Sequence, residues 1–375
     1  MKYKKLGKAK VDIPVIGQGC MGIGGYLTRD TSRDEVQLKA LKLGIDMGMT
    51  LIDTAETYGE GHSEELVGKA IAGMRDKVFI ATKFAPEHNG YTDVLKSADQ
   101  SLRRLKTDYI DLYQLHWPNP GIPLEETMRA MEKLIGDGKV RFAGVCNLSL
   151  KELKKARAAL TAEDIVSLQV EYNLFDRTVE NKILPYCQRE DITLIAYSPL
   201  DQGKIGGDKK AGVLQNIADK YGKTISQVTL NWLVSHDPVI AIPKATNPEH
   251  VKQNALSIDF NLTSEELAEI DRVFAQKPVN VPVERICVIP GGEGNRQVYR
   301  TLEEALENKL GFVPSPAELA RDIKAGEDPK PVRVRKSTDN TGRYDYDLVE
   351  GRVRYWAWVI AYNGIKPIPV LIRDN

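Results

Sequence analysis

The stretch Thr50-Leu-Ile-Asp-Thr-Ala-Glu-Thr-Tyr58 ends an apolar run on an aspartate and sets a phenol shortly after it, in a loop that holds Gly59 and Gly61. Thr50 to Ile52 predict the end of a buried parallel strand, with Asp53 where that strand leaves the core. On this stretch alone, Asp53 capping the next helix and Tyr58 packing on a rim is an equal alternative. Two further runs decide against it. Val78-Phe-Ile-Ala-Thr-Lys83 is apolar and ends on a lysine. Tyr109-Ile-Asp-Leu-Tyr-Gln-Leu-His116 ends on a histidine, followed by Trp117 and Pro118. Asp53, Tyr58, Lys83 and His116 placed past three successive strands would leave the same end of a parallel sheet, where closed α/β barrels carry their chemistry. A phenol with a pKa of about 10 is a weak acid at neutral pH, and a nearby ammonium lowers that value. The aspartate would hold the lysine and the histidine would orient a carbonyl oxygen. The set amounts to a proton donor for a developing alkoxide.

In order and in strand position, Asp53, Tyr58, Lys83 and His116 resemble the catalytic tetrad of the aldo-keto reductases. The resemblance continues through Gly-Val-Cys-Asn147, Gln169-Val-Glu-Tyr172-Asn, Ala-Tyr197-Ser-Pro-Leu and Ile-Pro-Lys244-Ala-Thr. It covers about residues 1–275. It implies a (β/α)8 TIM barrel and NADPH-dependent reduction of an aldehyde or ketone.

Composition sets bounds. The chain has 375 residues, more than one ordinary domain, and 42% of them are hydrophobic. Lys plus Arg and Asp plus Glu both number 52, so the balance points to neither nucleic acid nor an anionic membrane. Cys20, Cys146, Cys187 and Cys287 are scattered. That excludes a CxxC metal or disulfide frame and fits a reducing, cytoplasmic compartment. No apolar run follows the basic start, so no signal peptide is visible, and no run is long enough to span a membrane.

Helical patterns run over 32–47, 61–74, 91–106, 123–137, 149–159, 178–189, 211–221 with 225–235, and 247–257. Strand-length apolar runs lie at 15–19, 50–53, 78–83, 109–115, 141–146, 166–171, 192–197 and 239–243. Eight such alternations predict a parallel barrel. Residues 2–15 predict a hairpin under it, and 263–274 one further helix. Thr224 and Thr263 have the look of helix caps.

Gly17, Gly19, Gly22, Gly24 and Gly25 crowd the first strand and its loop. Their spacing fits neither the Rossmann fingerprint nor the P-loop, which leaves a tight turn or a close backbone approach. The resemblance implies the nicotinamide end of the cofactor near Gly22. It also implies Asn147 and Gln169 on the carboxamide, Tyr197 stacked on the ring, and Ser198, Leu200 and Gly203 facing the pyrophosphate. The helix after Pro243-Lys244-Ala-Thr246-Asn-Pro-Glu-His250 would favour an anion at its start. Lys244 and Thr246 suit the 2′-phosphate of NADP. The family usually has an arginine where His250 stands, which weakens the expected NADP preference. Gln253 replaces a common glutamate, and Asn254 fits the adenine side. Met21, Phe84 and Trp117 are candidates to line an apolar substrate pocket.

We divide the chain into 1–277, the barrel, and 278–375, a linker with a small α/β domain. Residues 278–295 are rich in Pro and Gly and read as linker or irregular crossing, with the second module from about 285. Helix signals follow near 301–309 and 316–325, then strands at 331–335 and 346–351, a helix at 353–362 and a strand at 369–373. Pro316-Ala-Glu-Leu-Ala-Arg-Asp-Ile323, Lys330-Pro-Val-Arg-Val, Glu350-Gly351-Arg-Val-Arg354 and Ile368-Pro-Val-Leu-Ile resemble the ParB/sulfiredoxin-like fold. That resemblance allows a nucleotide or phosphate at Arg352 and Arg354. The turn has no cysteine, which argues against sulfinic-acid reduction. Residues 278–375 hold 15 Lys plus Arg against 14 Asp plus Glu, too small an excess for tight duplex DNA binding. Two alternatives to the reductase stand open at this point: a nicotinamide-sensing regulatory subunit, and a nucleotide- or DNA-binding protein acting through its C-terminal module.

Overall fold

The computed structural model describes residues 1–207, 210–275, 278–289, 297–327, 329–337 and 342–373. They form two compact units, Met1–Phe274 and Ala275–Asn375.

The first unit opens with an antiparallel hairpin of β1 (Tyr3–Lys5) and β2 (Asp12–Pro14). Strands and helices then alternate: β3 (Gln18–Gly19), α1 (Asp34–Asp46), β4 (Leu51–Asp53), α2 (His62–Ala70), β5 (Phe79–Phe84), α3 (Tyr91–Leu105), β6 (Ile110–Leu115), α4 (Leu124–Gly136), β7 (Val140–Cys146), α5 (Leu150–Ala158), β8 (Ile165–Glu171), α6 (Ile183–Glu190), β9 (Thr193–Tyr197), α7 (Ala211–Tyr221), α8 (Ile225–Ser235), β10 (Val239–Ala241) and α9 (Pro248–Ala255). The eight strands β3 to β10 lie side by side in chain order, every pair parallel. The first strand meets the last through Gly17 N–H to Ala241 O at 2.8 Å and Ala241 N–H to Val15 O at 2.9 Å. This is the expected (β/α)8 barrel. A final helix, α10 (Ser264–Phe274), follows.

Periodicity explains these elements. Helix α3 buries Val94, Ala98, Ser101 and Leu105 along one stripe, the spacing of a helix packed on a sheet. The strands are buried on both faces, as parallel strands covered by helices are. Leu6 and Ile13 of the hairpin are buried with Leu51, Phe79, Val166 and Ile240 inside the barrel. Each contributes about 1.5–3 kcal/mol by leaving water. The hairpin therefore plugs the end opposite the site. Thr224 forms a capping box with Gln227, and Thr263 exchanges hydrogen bonds with Glu266.

The second unit is a five-stranded sheet in the order β11 (Val279–Val281), β15 (Ile368–Arg373), β13 (Val332–Lys336), β14 (Tyr346–Glu350) and β12 (Ile286–Cys287). Helices α11 (Leu302–Leu306), α12 (Pro316–Lys324) and α13 (Arg352–Tyr362) supply the rest of one core with Val332, Val334, Leu348 and Val370. A capping box of Ser315 and Glu318 starts α12, with Pro316 in its first turn. The linker reading of 278–295 is corrected here. Residues 279–281 and 286–287 are strands of the sheet, paired with β15 and β14. They are too short for a period to show. Pro290 and Gly291–Gly294 lie outside the described residues. Trp356 and Trp358 are buried, with indole N–H groups donating to Tyr299 O and Lys366 O, so they belong to the core. Arg333 is also buried, 2.6 Å from Glu350.

Candidate active site

Strand register sets the stage. Gly19 pairs with Asp53, Asp53 with Ala81, and Ala81 with Leu112, so the strands finish at one end of the barrel. Asp53 ends β4 and is almost fully buried. Lys83 sits two residues beyond Ala81 on β5, on the same inward face by period two. His116 and Asn147 each stand one residue past β6 and β7, and Tyr197 ends β9.

Lys83 is the hub. Its ammonium donates to Asp53 Oδ1 at 2.5 Å, to Thr54 O at 2.8 Å and to the Tyr58 hydroxyl at 3.5 Å. The Tyr58 and His116 rings meet edge-on with centroids 5.8 Å apart. Asp53 Oδ2 accepts from Gln169 Nε2 at 2.7 Å and from Gln114 Nε2 at 3.2 Å. Asn147 donates to His116 O at 3.0 Å and accepts from the Tyr197 hydroxyl at 3.1 Å. The structure thus joins the predicted tetrad and Gln169 in one network, with Asn147 and Tyr197 tied to its His116 end.

The loop that carries Tyr58 is fixed at both ends. Glu56 N–H donates to Lys83 O, and Glu56 Oε1 accepts from Ala85 N–H at 2.6 Å and faces His88 Nδ1 at 2.8 Å. Beyond Tyr58 the backbone turns through positive φ at Gly59, Glu60 and Gly61. A Cβ at Gly59 would stand 2.1 Å from Gly24 O, so glycine is needed there. A Cβ at Gly24 would in turn meet Ser63 N at 2.8 Å. The glycines of the first loop are therefore used partly for packing between loops.

Electrostatics correct one expectation. Burial pushes the Tyr58 phenol up to about 12, and the pull of the Lys83 ammonium in the other direction is smaller. The lysine acts in the expected sense but does not set the net direction. Burial by itself would lower Lys83. Asp53 foremost, then Tyr58 and Cys146, more than offset it and hold the ammonium above its ordinary range. Burial likewise raises the Cys20 and Cys146 thiols.

The remaining predicted residues surround this centre. Gly22 is in the loop after β3, and Met21 and Trp117 are exposed. Phe84 is not a pocket residue. It faces outward on β5, fully buried against Tyr113 with ring centroids 5.0 Å apart. Period two from Lys83 would have shown this. Ser198, Leu200 and Gly203 follow β9. The Ser198 carbonyl accepts from Asn173 and from Asp201 N–H, and among the described residues these three share no hydrogen bond with the tetrad. Lys244 is exposed, its pKa lowered by partial desolvation and by Arg33. Thr246 and Gln253 are half-buried and His250 is exposed. Asn254 is buried and lines a small pocket with Gln18, Gly19 and Pro243. Asn247 caps α9 by accepting from Glu249 N–H at 2.9 Å, so one amide of that helix start is already spent. Gln114, Glu56 and Arg33 were not anticipated. For Gln114 the signal was present: it is two residues before His116, on the inward face.

Comparison with known proteins places this geometry. The profile of the Aldo/keto reductase family matches residues 15–275. The methylglyoxal reductase YeaE of Escherichia coli (strain K12) is 41% identical over 266 residues, 70% of this chain and 92% of that protein. The crystal structure of a thermostable aldo-keto reductase, Tm1743, with the inhibitor epalrestat is 45% identical. It superposes with a TM-score of 0.70 over 73% of this chain and 100% of that one. An aldo/keto reductase from Klebsiella pneumoniae, crystallised with NADP and acetate, is 39% identical with a TM-score of 0.67, over 73% and 96% of the two chains.

Proposed function

The chain belongs to the aldo/keto reductase family, and on that premise we propose that it reduces a small aldehyde or ketone to the alcohol with NADPH, through Tyr58 as proton donor. The observation that carries the mechanism is the Lys83 ammonium, bonded at once to Asp53 and to the Tyr58 hydroxyl.

The residues at the barrel mouth fit a nicotinamide dinucleotide. The half-exposed Tyr197 ring offers a stacking face, and Asn147 and Gln169 present carboxamides beside the reacting groups. Lys244 with Thr246, at the start of α9, would hold the 2′-phosphate. Gly22, Ser198, Leu200, Gly203, His250, Gln253 and Asn254 complete the proposed cradle. Bound there, NADPH supplies a hydride to the carbonyl carbon.

The chain's own residues supply the rest. His116 orients the carbonyl oxygen toward the Tyr58 hydroxyl. As the oxygen gains charge, it takes the Tyr58 proton, and the phenolate left behind is stabilised by Lys83. Asp53 keeps Lys83 charged and in place. A phenol near 12 stays protonated until an alkoxide, a far stronger base, develops beside it. The relative in Escherichia coli is named for methylglyoxal, so small 2-oxoaldehydes are the first substrate class we propose. Stopped-flow mixing of NADPH-loaded protein with methylglyoxal tests it, with loss of reduced-nicotinamide absorbance expected in wild type and not in Tyr58→Phe.

For the second unit we propose a ParB/sulfiredoxin-like arrangement with a weak phosphate site at Arg352 and Arg354. Support comes from the order of α12, β13, β14, α13 and β15, and from Gly351, which starts α13 in the left-handed region without a side-chain cap. Against tight binding, Arg354 donates to Lys330 O and Pro331 O, and Arg352 to Ile289 O. Among the described residues no helix is long and apolar enough to cross a membrane.

A further inference from the structure

Gln114 is a carboxamide at the centre of a barrel, fully removed from solvent. A buried amide without partners costs several kcal/mol, so its partners say why it is there. Its Nε2 donates to Asp53 Oδ2 at 3.2 Å. Its Oε1 accepts from Gln169 Nε2 at 3.4 Å and from the Cys146 thiol at 3.7 Å. The orientation of the amide follows from these neighbours. Turned over, it would set a carbonyl oxygen against a carboxylate.

The surroundings are shaped to admit it. A Cβ at Gly144, on the next strand, would stand 3.0 Å from Gln114 Cγ and 2.7 Å from Ser167 Oγ. Asp53, Gln114 and Gln169 come from β4, β6 and β8, the alternate strands that build one layer of a barrel interior. Below them on β6 lies Leu112, in the apolar interior cluster. The layer is thus the point at which the barrel turns from apolar to reactive.

We propose that Gln114 is a positioning residue of the reaction, holding the Asp53 carboxylate in the plane that presents Lys83 to the Tyr58 hydroxyl. This rests on the reading of Asp53, Lys83 and Tyr58 as the proton-delivery set. Lys83 occupies Oδ1, while the two amides occupy Oδ2. Gln169 is also assigned to the cofactor's carboxamide. When it turns to that partner, Gln114 is the donor that remains on Oδ2 and keeps the carboxylate from pivoting.

The test uses the full chain and single-turnover hydride transfer from bound NADPH to methylglyoxal. Gln114→Met keeps length and removes the donation to Asp53 together with the two bonds that Oε1 accepts. It is expected to slow transfer about tenfold, the weight of one hydrogen bond to a charged group, with the NADPH Kd changed less than about twofold. In an Asp53→Asn background the same change should cost less than about twofold, since the group through which Gln114 acts is already altered. A merely structural role would give the same loss in both backgrounds, and that result overturns the proposal, as does an unchanged rate in wild type. Gln114→Glu is the second variant, usable should the first fail to fold. It sets a second carboxylate against Asp53, so its rate should recover as pH falls and protonation restores the donor. A Gln114→Glu rate that does not rise on acidification also overturns the proposal. Full activity in Tyr58→Phe would instead refute the proton-delivery reading itself.

Discussion

The Lys83 ammonium stands 3.5 Å from the Tyr58 hydroxyl oxygen. The contact is long because the ammonium is drawn to Asp53 at 2.5 Å. The lysine can therefore stabilise a phenolate as it forms without forming it beforehand.

Tyr58→Phe removes the only phenol in contact with Lys83 among the described residues. Carbonyl reduction should fall to background while NADPH fluorescence titrations stay within a few fold of wild type. Lys83→Met should do the same, because it leaves the phenolate product unstabilised. Wild-type turnover in the phenylalanine variant would refute the mechanism.

The Tyr58 shift has a pH signature. Its folded value, about 12, lies above the ordinary phenol value of 10.0. The folded state therefore holds this proton more tightly than the unfolded chain. The stability it contributes is complete below about pH 10 and is lost as pH rises through about 12. Denaturant titrations of wild type and Tyr58→Phe across that window should show a shallower decline in the variant. Reduction should show no loss from Tyr58 ionisation below about pH 10. An identical decline in both proteins would exclude the shift.

Cofactor choice should depend on Lys244. Lys244→Ala is expected to weaken NADPH by about 1.5–3 kcal/mol, one charge-assisted contact, and to leave NADH unchanged. His250→Arg should tighten NADPH, since a guanidinium adds a charge and a fork of donors. Calorimetry with both cofactors decides, and equal affinities for the two in wild type would sink the assignment.

Gly59 has φ +56 and no room for a Cβ beside Gly24 O. Gly59→Ala should cost about 1–3 kcal/mol of stability from strain of this kind. Because Tyr58 is its neighbour, hydride transfer should slow more than NADPH binding weakens. A variant with unchanged melting temperature and rate would show that the loop tolerates the clash.

Much of this was legible in the sequence. The barrel announced itself because each strand is a short apolar run and each helix a striped one, and because Asp53, Lys83 and His116 interrupt the runs at equivalent places. What was not legible depends on three-dimensional burial. The net rise at Tyr58 comes from desolvation, which no spacing reports. The inward face of Gln114 followed from its spacing to His116, but its partners did not: Asp53 and Gly144 reach it from other strands. Strands β11 and β12 were hidden in a Pro- and Gly-rich stretch because three and two residues carry no period.

The two compact units offer a further prediction. Removal of residues 275–375 should leave Met1–Phe274 folded, with one melting transition and NADPH affinity retained, because the closed barrel and its plug lie entirely within that span. Insolubility of the shortened chain would refute this.

The short strands β11 and β12 have a consequence of their own. A ring of strands has no rim on which a stranger can pair, but the five-stranded sheet of the second unit has two, and a long bare margin invites aggregation. Here one margin is Val279–Val281, bracketed by Pro278 and Pro282, and the other is Ile286–Cys287. Proline offers no N–H to an incoming strand, and neither margin is long enough to fix a register. The segment that looked like a loose connector thus works as hemming: it covers Ile368–Val370 on one side of the sheet and Tyr346–Asp347 on the other with strands too short to template a long partner.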